Sequence, residues 1–340
     1  MTGVVVKNIL LIATGGTIAS VEDDSGLTPE MSGAQLTQYV PEIKDVCNFC
    51  VKELMSIDST NMRPQDWMRI SQCIVDAYDD YDGFVVLHGT DTMSYTAAAL
   101  SYLIQDSAKP IVLTGSQKPM ANPFTDAKIN LYQALVYASD DNSYGVSIVF
   151  SGSVIAGTRA RKQRTMSHNA FTSINFPELA IVRNQHVLRL SENKKPSVAD
   201  IKTYNKLDTK VGVLKLTPGV NPKLLDLLKT CYDALIVETF GVGGIPDYED
   251  QTPSFKEAID SWVESGRTIV LTTQVPEEGC DMGVYEVGRA YAYHQGILLG
   301  EDMTTEALVA KTMWVLGQTR DPEQVKELFY KPINHDRLGV

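Results

Sequence analysis

The chain has 340 residues, enough for about two domains, each with its own buried core. With 44% hydrophobic and 21% charged residues, 24 Gly and 15 Pro, it lacks the composition of a disordered, collagen-like or coiled-coil protein. Thirty Lys and Arg against 42 Asp and Glu leave a formal charge of −12, which opposes nucleic acid and anionic membrane surfaces as partners and favours a small molecule.

The first apolar run, residues 9–13, is too short for a signal-peptide core and is soon followed by Gly15 and Gly16. No run approaches the roughly 20 residues of a spanning helix. Cys47, Cys50, Cys73, Cys231 and Cys280 are odd in number and thinly spread, unlike a disulfide framework. A cytoplasmic protein is the expectation.

Residues 9–13, 84–87 and 111–113 are continuous apolar runs, and 146–150 is one interrupted by Ser147 alone, each followed by a polar helical pattern. Such strands are buried on both faces, as in a parallel sheet covered by helices. Between them, residues 64–78 place Trp67, Ile70, Ile74, Val75 and Tyr78 on one helical face, with Pro64 suited to the first turn. Residues 125–138 repeat the pattern, with Thr125 able to cap the start. The polar stretch 191–210 contains Pro196 and no sustained periodicity and reads as a linker. Residues 1–190 then form a larger amino-terminal domain. Strands at 211–216, 234–237 and 268–271, with helices near 222–229 and 253–263, form a smaller carboxy-terminal one over 211–340. The fold class is α/β, a doubly wound sheet followed by a smaller α/β domain.

The ends of the strands carry the chemistry. The first runs into Thr14-Gly-Gly-Thr17, the next into His88-Gly-Thr-Asp-Thr92, and the third into Thr114-Gly-Ser-Gln117. In an open parallel sheet the carboxyl ends lie along one edge, where ligands bind at a reversal of strand order. Glycines beside the hydroxyls leave backbone N–H groups free to face an anion or a developing oxyanion.

Plainer readings compete. The first motif also fits an ordinary strand-to-helix turn or a phosphate loop, although neither standard phosphate-binding glycine pattern is present. Asp91 also fits the cap of a following helix. The run from Gly157 to Arg164, with four positive charges, fits a solvated surface loop. Its Lys162, if buried, would hold a carboxylate or act as part of a base. Cys47-Asn-Phe-Cys50 has no second ligand pair for a structural zinc, and the five histidines form no zinc-hydrolase motif. There is no Gly-x-Ser-x-Gly elbow.

Taken together, Ala13-Thr-Gly-Gly-Thr-Ile-Ala-Ser20 and Val86-Leu-His-Gly-Thr-Asp-Thr-Met93 resemble the L-asparaginase family. Further stretches match in order: Asp58-Ser-Thr-Asn-Met62, Leu113-Thr-Gly-Ser116, Gly157-Thr-Arg-Ala-Arg-Lys162, Ser173-Ile-Asn-Phe-Pro177 and Tyr285-Glu-Val-Gly-Arg289. The likeness covers nearly the whole chain and is strongest to the cytoplasmic, type I members. It implies hydrolysis of L-asparagine to aspartate and ammonia without a cofactor or metal, in a homodimer or a dimer of dimers. By the same resemblance Thr14 is the nucleophile, with Thr90, Asp91 and Lys162 as the other catalytic groups. Asp58, Ser59, Thr60, Thr90, Asp91 and Ser116 hold the substrate. Thr90 and Lys162, oriented by Asp91, would relay a proton, and backbone N–H groups at Thr90 or Gly15 would receive the oxyanion.

Three positions depart from relatives. Leu27 stands about where periplasmic members have a loop tyrosine, Val275 where some cytoplasmic members have a regulatory cysteine, and Arg161 where a threonine is expected. Two other functions fit the same motifs. One is the related archaeal subunit that supplies ammonia for amidation of tRNA-bound glutamate, which carries an additional amino-terminal domain, whereas here the first motif begins at Thr14. The other is a non-catalytic amino-acid sensor.

Overall fold

The computed structural model describes residues 6–16, 20–23, 26–29, 36, 38–190, 194–248, 252–283, 291 and 296–338. It divides into two compact units, Met1–Asn205 with Ile333–His335, and Lys206–Pro332 with Asp336–Val340.

The first unit is built on an eight-stranded sheet in the order His186–Arg189, Ala180–Arg183, Ser153–Ala156, Gly145–Phe150, Pro110–Thr114, Gly83–Leu87, Asn8–Ala13, Asn48–Glu53. The five strands from Gly145–Phe150 to Asn48–Glu53 run parallel, and the remaining three add antiparallel at one edge. The apolar runs are buried on both faces. Ile9, Leu11, Val85, Leu87 and Val112 share a core with Leu131, Ala134 and Leu135 of the helix Ala127–Ser139. The alternate residues Leu10, Ile12, Phe84, Val86 and Ile111 are buried as well.

The helix expected from residue 64 runs Pro64–Asp76 with proline in its first turn. Thr125 acts one residue earlier than a cap, its hydroxyl accepting from Ala127 N at 2.9 Å. Helix Met93–Leu103 shows no amphipathic signature because almost every residue of it is buried. Without a polar stripe, periodicity has nothing to report. The helix Thr305–Gln318 in the second unit is hidden from sequence reasoning for the same reason.

The second unit has a four-stranded parallel sheet, Val211–Lys215, Ala234–Thr239, Thr268–Thr273 and Ile297–Leu299, in chain order. Its core gathers Leu235, Val237, Ile269 and Leu271 around Phe255, Ile259 and Trp262 of the helix Phe255–Glu264. The division between units falls inside the polar stretch 191–210, between Asn205 and Lys206. On its amino-terminal side Lys202–Thr203 pairs with Ile104–Gln105, and Tyr204 N donates to Leu103 O at 2.9 Å. A two-residue exposed strand leaves no hydrophobic pattern in sequence, which is why composition alone made this a linker.

Candidate active site

The strand order reverses toward one edge of the first sheet. After Asn8–Ala13 the chain adds Asn48–Glu53 on one side, then returns to the other side for Gly83–Leu87 and moves away through Pro110–Thr114. The crevice at the carboxyl ends of such a pair is where open α/β sheets bind ligands. The ends are in register, with Ala13 opposite Leu87 and Leu87 opposite Thr114. Thr14 N donates to Leu87 O at 3.1 Å and His88 N to Thr114 O at 2.9 Å. The three motifs therefore leave the sheet at one level.

Glycine lets these loops meet. Gly16 has φ of +82°, and a methyl group on it would lie 2.5 Å from Gly89 N; one on Gly89 would lie 2.6 Å from the Ser59 hydroxyl. A side chain at either position would collide, so the loops after residues 13 and 87 touch backbone to backbone and the loop after 87 lies directly against the Ser59 side chain. Thr92 Oγ1 donates to Ser59 O at 2.8 Å and ties two of them again.

Lys162 ends the short strand Ala160–Lys162 and reaches into this edge. Its Nζ donates to Thr90 Oγ1 at 2.7 Å and to Asp91 Oδ1 at 2.6 Å. Three of the four residues expected to be catalytic are thus joined directly. The side chain of Lys162 is 17% exposed and that of Asp91 56% exposed, so the carboxylate remains open to a ligand. Asp91 is an ion-pair partner rather than a helix cap: Thr92 takes the cap position of Met93–Leu103. Of the basic run, Arg159 is fully buried and is no part of a solvated loop.

Thr14, the fourth expected catalytic residue, is placed differently. It is 1% exposed, and its hydroxyl donates to Leu87 O at 2.9 Å. The same arrangement recurs at two other strand ends, Thr114 Oγ1 to Val149 O at 2.8 Å and Thr239 Oγ1 to Thr272 O at 2.7 Å. In each case a terminal threonine uses its side chain to extend the ladder of backbone hydrogen bonds. Thr17 to Ala19 of the first motif, and Tyr285 to Arg289, lie outside the described residues.

The expected substrate-binding residues form the rim. Asp58 Oδ1 accepts from both Thr60 N and Thr60 Oγ1 at 2.8 Å, and these bonds hold its pKa below the usual carboxylate value. Asp58 and Thr60 are exposed and Ser59 is buried. Ser116 is buried with its hydroxyl on Lys118 O at 2.7 Å.

Several contributors carry no motif of their own. Gln117 Oε1 accepts from Thr90 Oγ1 at 3.3 Å, while its Nε2 reaches Arg164 O at 3.4 Å and Ser167 O at 3.3 Å. The Thr90 hydroxyl therefore sits in a chain, receiving from an ammonium and donating to an amide. Buried Asp126 accepts from Gln117 N through both oxygens at 3.0 Å and from Lys118 N at 3.1 Å, which fixes the third loop. His88 is fully buried between Gly89 O, 2.7 Å from Nδ1, and Thr96 Oγ1, 2.9 Å from Nε2. A carbonyl only accepts, so Nδ1 carries the proton and Nε2 accepts from the hydroxyl. Burial lowers the pKa to about 4, against a smaller opposing effect of the Gly89 bond, so the ring is neutral at pH 7. The Gly beside each hydroxyl was the legible signal; the Gln, Asp and His acting across loops had none.

Residues 8–195 match the family Asparaginase, N-terminal, and residues 210–329 the Glutaminase/Asparaginase C-terminal domain. The chain belongs to the asparaginase family. It is an amidohydrolase, as its L-asparaginase relatives are. An L-asparaginase of Thermococcus kodakarensis is 35% identical over 334 residues, covering 97% of this chain and 99% of that protein. The solved structure of the thermostable L-asparaginase from that organism superposes with a TM-score of 0.90 at 34% identity, covering 98% of this chain and 100% of that one. A glutamyl-tRNA(Gln) amidotransferase subunit of Methanobrevibacter smithii is 35% identical over 341 residues, covering 96% of this chain and 76% of that protein. Among the described residues, no cluster of three or more His, Cys, Asp or Glu side chains is arranged to hold a metal ion, and no helix is long and apolar enough to cross a membrane.

Proposed function

We propose that this asparaginase-family chain hydrolyses L-asparagine to L-aspartate and ammonia through a threonine-linked acyl-enzyme. The observation that carries the reading is the Lys162 ammonium bound at once to the Thr90 hydroxyl and the Asp91 carboxylate at the strand-order reversal. A carboxamide is a poor electrophile and a hydroxyl a weak nucleophile, so the reaction needs a proton acceptor beside the attacker and donors for the carbonyl oxygen. Once the Lys162 ammonium has given up a proton to solvent, the attacking oxygen bonds to the amide carbon while its proton passes to Thr90 and the Thr90 proton to the Lys162 amine; Lys162 then protonates the departing nitrogen, the C–N bond breaks and ammonia leaves. Water then cleaves the β-aspartyl ester and the threonine regains its proton. The open side of Asp91 receives the substrate ammonium, while Ser59 and Thr60 meet its carboxylate.

The attacker is a hydroxyl of Thr14-Gly-Gly-Thr17, and we assign it to Thr17 over Thr14. Thr14 is buried and its hydroxyl is engaged in the manner of Thr114 and Thr239. Ammonia release by Thr14→Val, Thr17→Val and Lys162→Met tests both assignments. The reading expects loss in the second and third variants and activity in the first. Full activity in Lys162→Met would reject the site, and loss confined to Thr14→Val would return the role to Thr14.

The amidotransferase relatives support glutamine as the competing amide, and parallel assays on asparagine and glutamine decide between the two substrates. The net charge of −12 disfavours a tRNA complex. Five free cysteines suit the reducing cytoplasm, and a homodimer or dimer of dimers is the expected assembly, measurable by light scattering.

A further inference from the structure

Lys162 ends a two-stranded ribbon. Among the described residues its strand, Ala160–Lys162, pairs with Phe171–Ser173 alone, and the ribbon rests on the first sheet through Phe171, whose ring lies 4.9 Å from that of Phe150. The direction in which a long flexible lysine leaves such a ribbon depends on how the ribbon's root is fixed. The root is Gly157-Thr158-Arg159, and it is fastened to a distant part of the chain.

Ile333–His335 returns to the first unit. Asn334 and His335 have φ of +47° and +64°, in the left-handed region that Asn and His enter more readily than most other non-glycine residues. Asn334 O accepts from Thr158 Oγ1 at 2.6 Å, and His335 O from Arg159 Nε at 2.5 Å. Asn334 Nδ2 donates to Ser101 Oγ at 2.8 Å and to Val146 O at 2.9 Å. The His335 ring stacks on Phe176 with centroids 4.5 Å apart, and the Arg159 guanidinium lies 5.8 Å from the same ring. Thr158 and Arg159 are 1% and 0% exposed, so these bonds are shielded from competing water.

We propose that the Ile333–His335 strap is a positioning element for Lys162: it fixes residues 157–159, and thereby the direction in which the ribbon delivers the ammonium to Thr90 and Asp91. The proposal deepens the functional reading above and rests on it. Neither Thr158 nor Asn334 is assigned a contact with substrate. Their effect is on where Lys162 stands when the amide bond breaks, which places it in kcat rather than in KM.

The test is Thr158→Val, which keeps the shape of the side chain and removes the donor to Asn334 O, with Thr158→Ser as the conservative variant and Asn334→Ala as an independent cut of the same strap. Kinetics on L-asparagine are expected to show kcat lowered about 10- to 100-fold with KM within about twofold of the parent in Thr158→Val and Asn334→Ala. Thr158→Ser is expected to restore kcat. If the first two variants melt lower but turn over asparagine at the parental kcat, the strap is a tie for stability alone and the proposal is overturned. Should Thr158→Val fail to fold, Asn334→Ala carries the same decision. Lys162→Met measured alongside separates the two levels. An inactive Lys162→Met with a parental Thr158→Val overturns only the strap, whereas a fully active Lys162→Met overturns the site and the strap with it.

Discussion

Replacing Thr14 by valine separates two roles of one hydroxyl. The side chain is 1% exposed, and the bond it makes to Leu87 O is 2.9 Å long. Valine keeps the volume and the branching and deletes the donor. Leu87 O does not become an orphan, because Thr14 N still donates to it at 3.1 Å. The loss is therefore that of one buried hydrogen bond with its acceptor still served, about 1 kcal/mol. In a unit of this size that is a fall of roughly 2–4 °C in melting temperature. Thr114→Val and Thr239→Val, which remove the corresponding bonds to Val149 and Thr272, are expected to cost similar amounts. Urea or thermal unfolding gives the stability, and ammonia release from asparagine gives the turnover. Under the ladder-closing role Thr14→Val loses stability and keeps its kcat within a few-fold. Loss of an attacking hydroxyl would instead lower kcat on the order of 10⁴-fold or more. A variant with parental stability and no turnover would refute the reasoning.

Gln117→Leu removes the acceptor of the Thr90 hydroxyl and the bonds to Arg164 O and Ser167 O; kcat on asparagine is expected to fall about tenfold, and an unchanged kcat would detach Gln117 from the chain. His88 has its pKa lowered from 6.5 to about 4, so between those values the unfolded chain binds a proton that the folded chain refuses. Stability is thus complete above pH 6.5 and is lost as the pH falls toward 4, by about 2 kcal/mol between pH 7.5 and 5. Urea midpoints at the two pH values should show this drop in the parent and a smaller one in His88→Gln; equal drops would remove His88 as its source. In the second unit Lys311 and Asp336 form an ion pair with both side chains 0% exposed. Lys311→Met is expected to destabilise that unit by about 3–5 kcal/mol because it strands a buried carboxylate, and Lys311→Met with Asp336→Leu should recover most of the loss in chemical denaturation.

The lessons of the sequence are uneven. The parallel strands were legible because full burial writes a continuous apolar run, and Phe84–Leu87 or Ile111–Leu113 has no other ready explanation. Asn48–Glu53, an edge strand with alternating exposure and two charged residues, did not stand out, nor did the fully buried helices. At the site, Thr90, Asp91 and Lys162 were legible from motifs and are joined by hydrogen bonds. Gln117, Asp126 and His88 lay in or beside those motifs without a signal, because what distinguishes them is the partner each meets.

Sequence by itself determined the fold class, the family and the three glycine-and-hydroxyl motifs at strand ends, since these are properties of contiguous residues. Only the tertiary structure decided which hydroxyl is engaged elsewhere, that His88 is buried between two hydrogen-bond partners, and which atoms the lysine meets. The reason is separation along the chain: Thr14 meets Leu87 across 73 positions, Lys162 meets Thr90 across 72, and Thr158 meets Asn334 across 176. Local pattern encodes burial and secondary structure, whereas the state of a polar side chain is set by whichever distant atom folding brings to it.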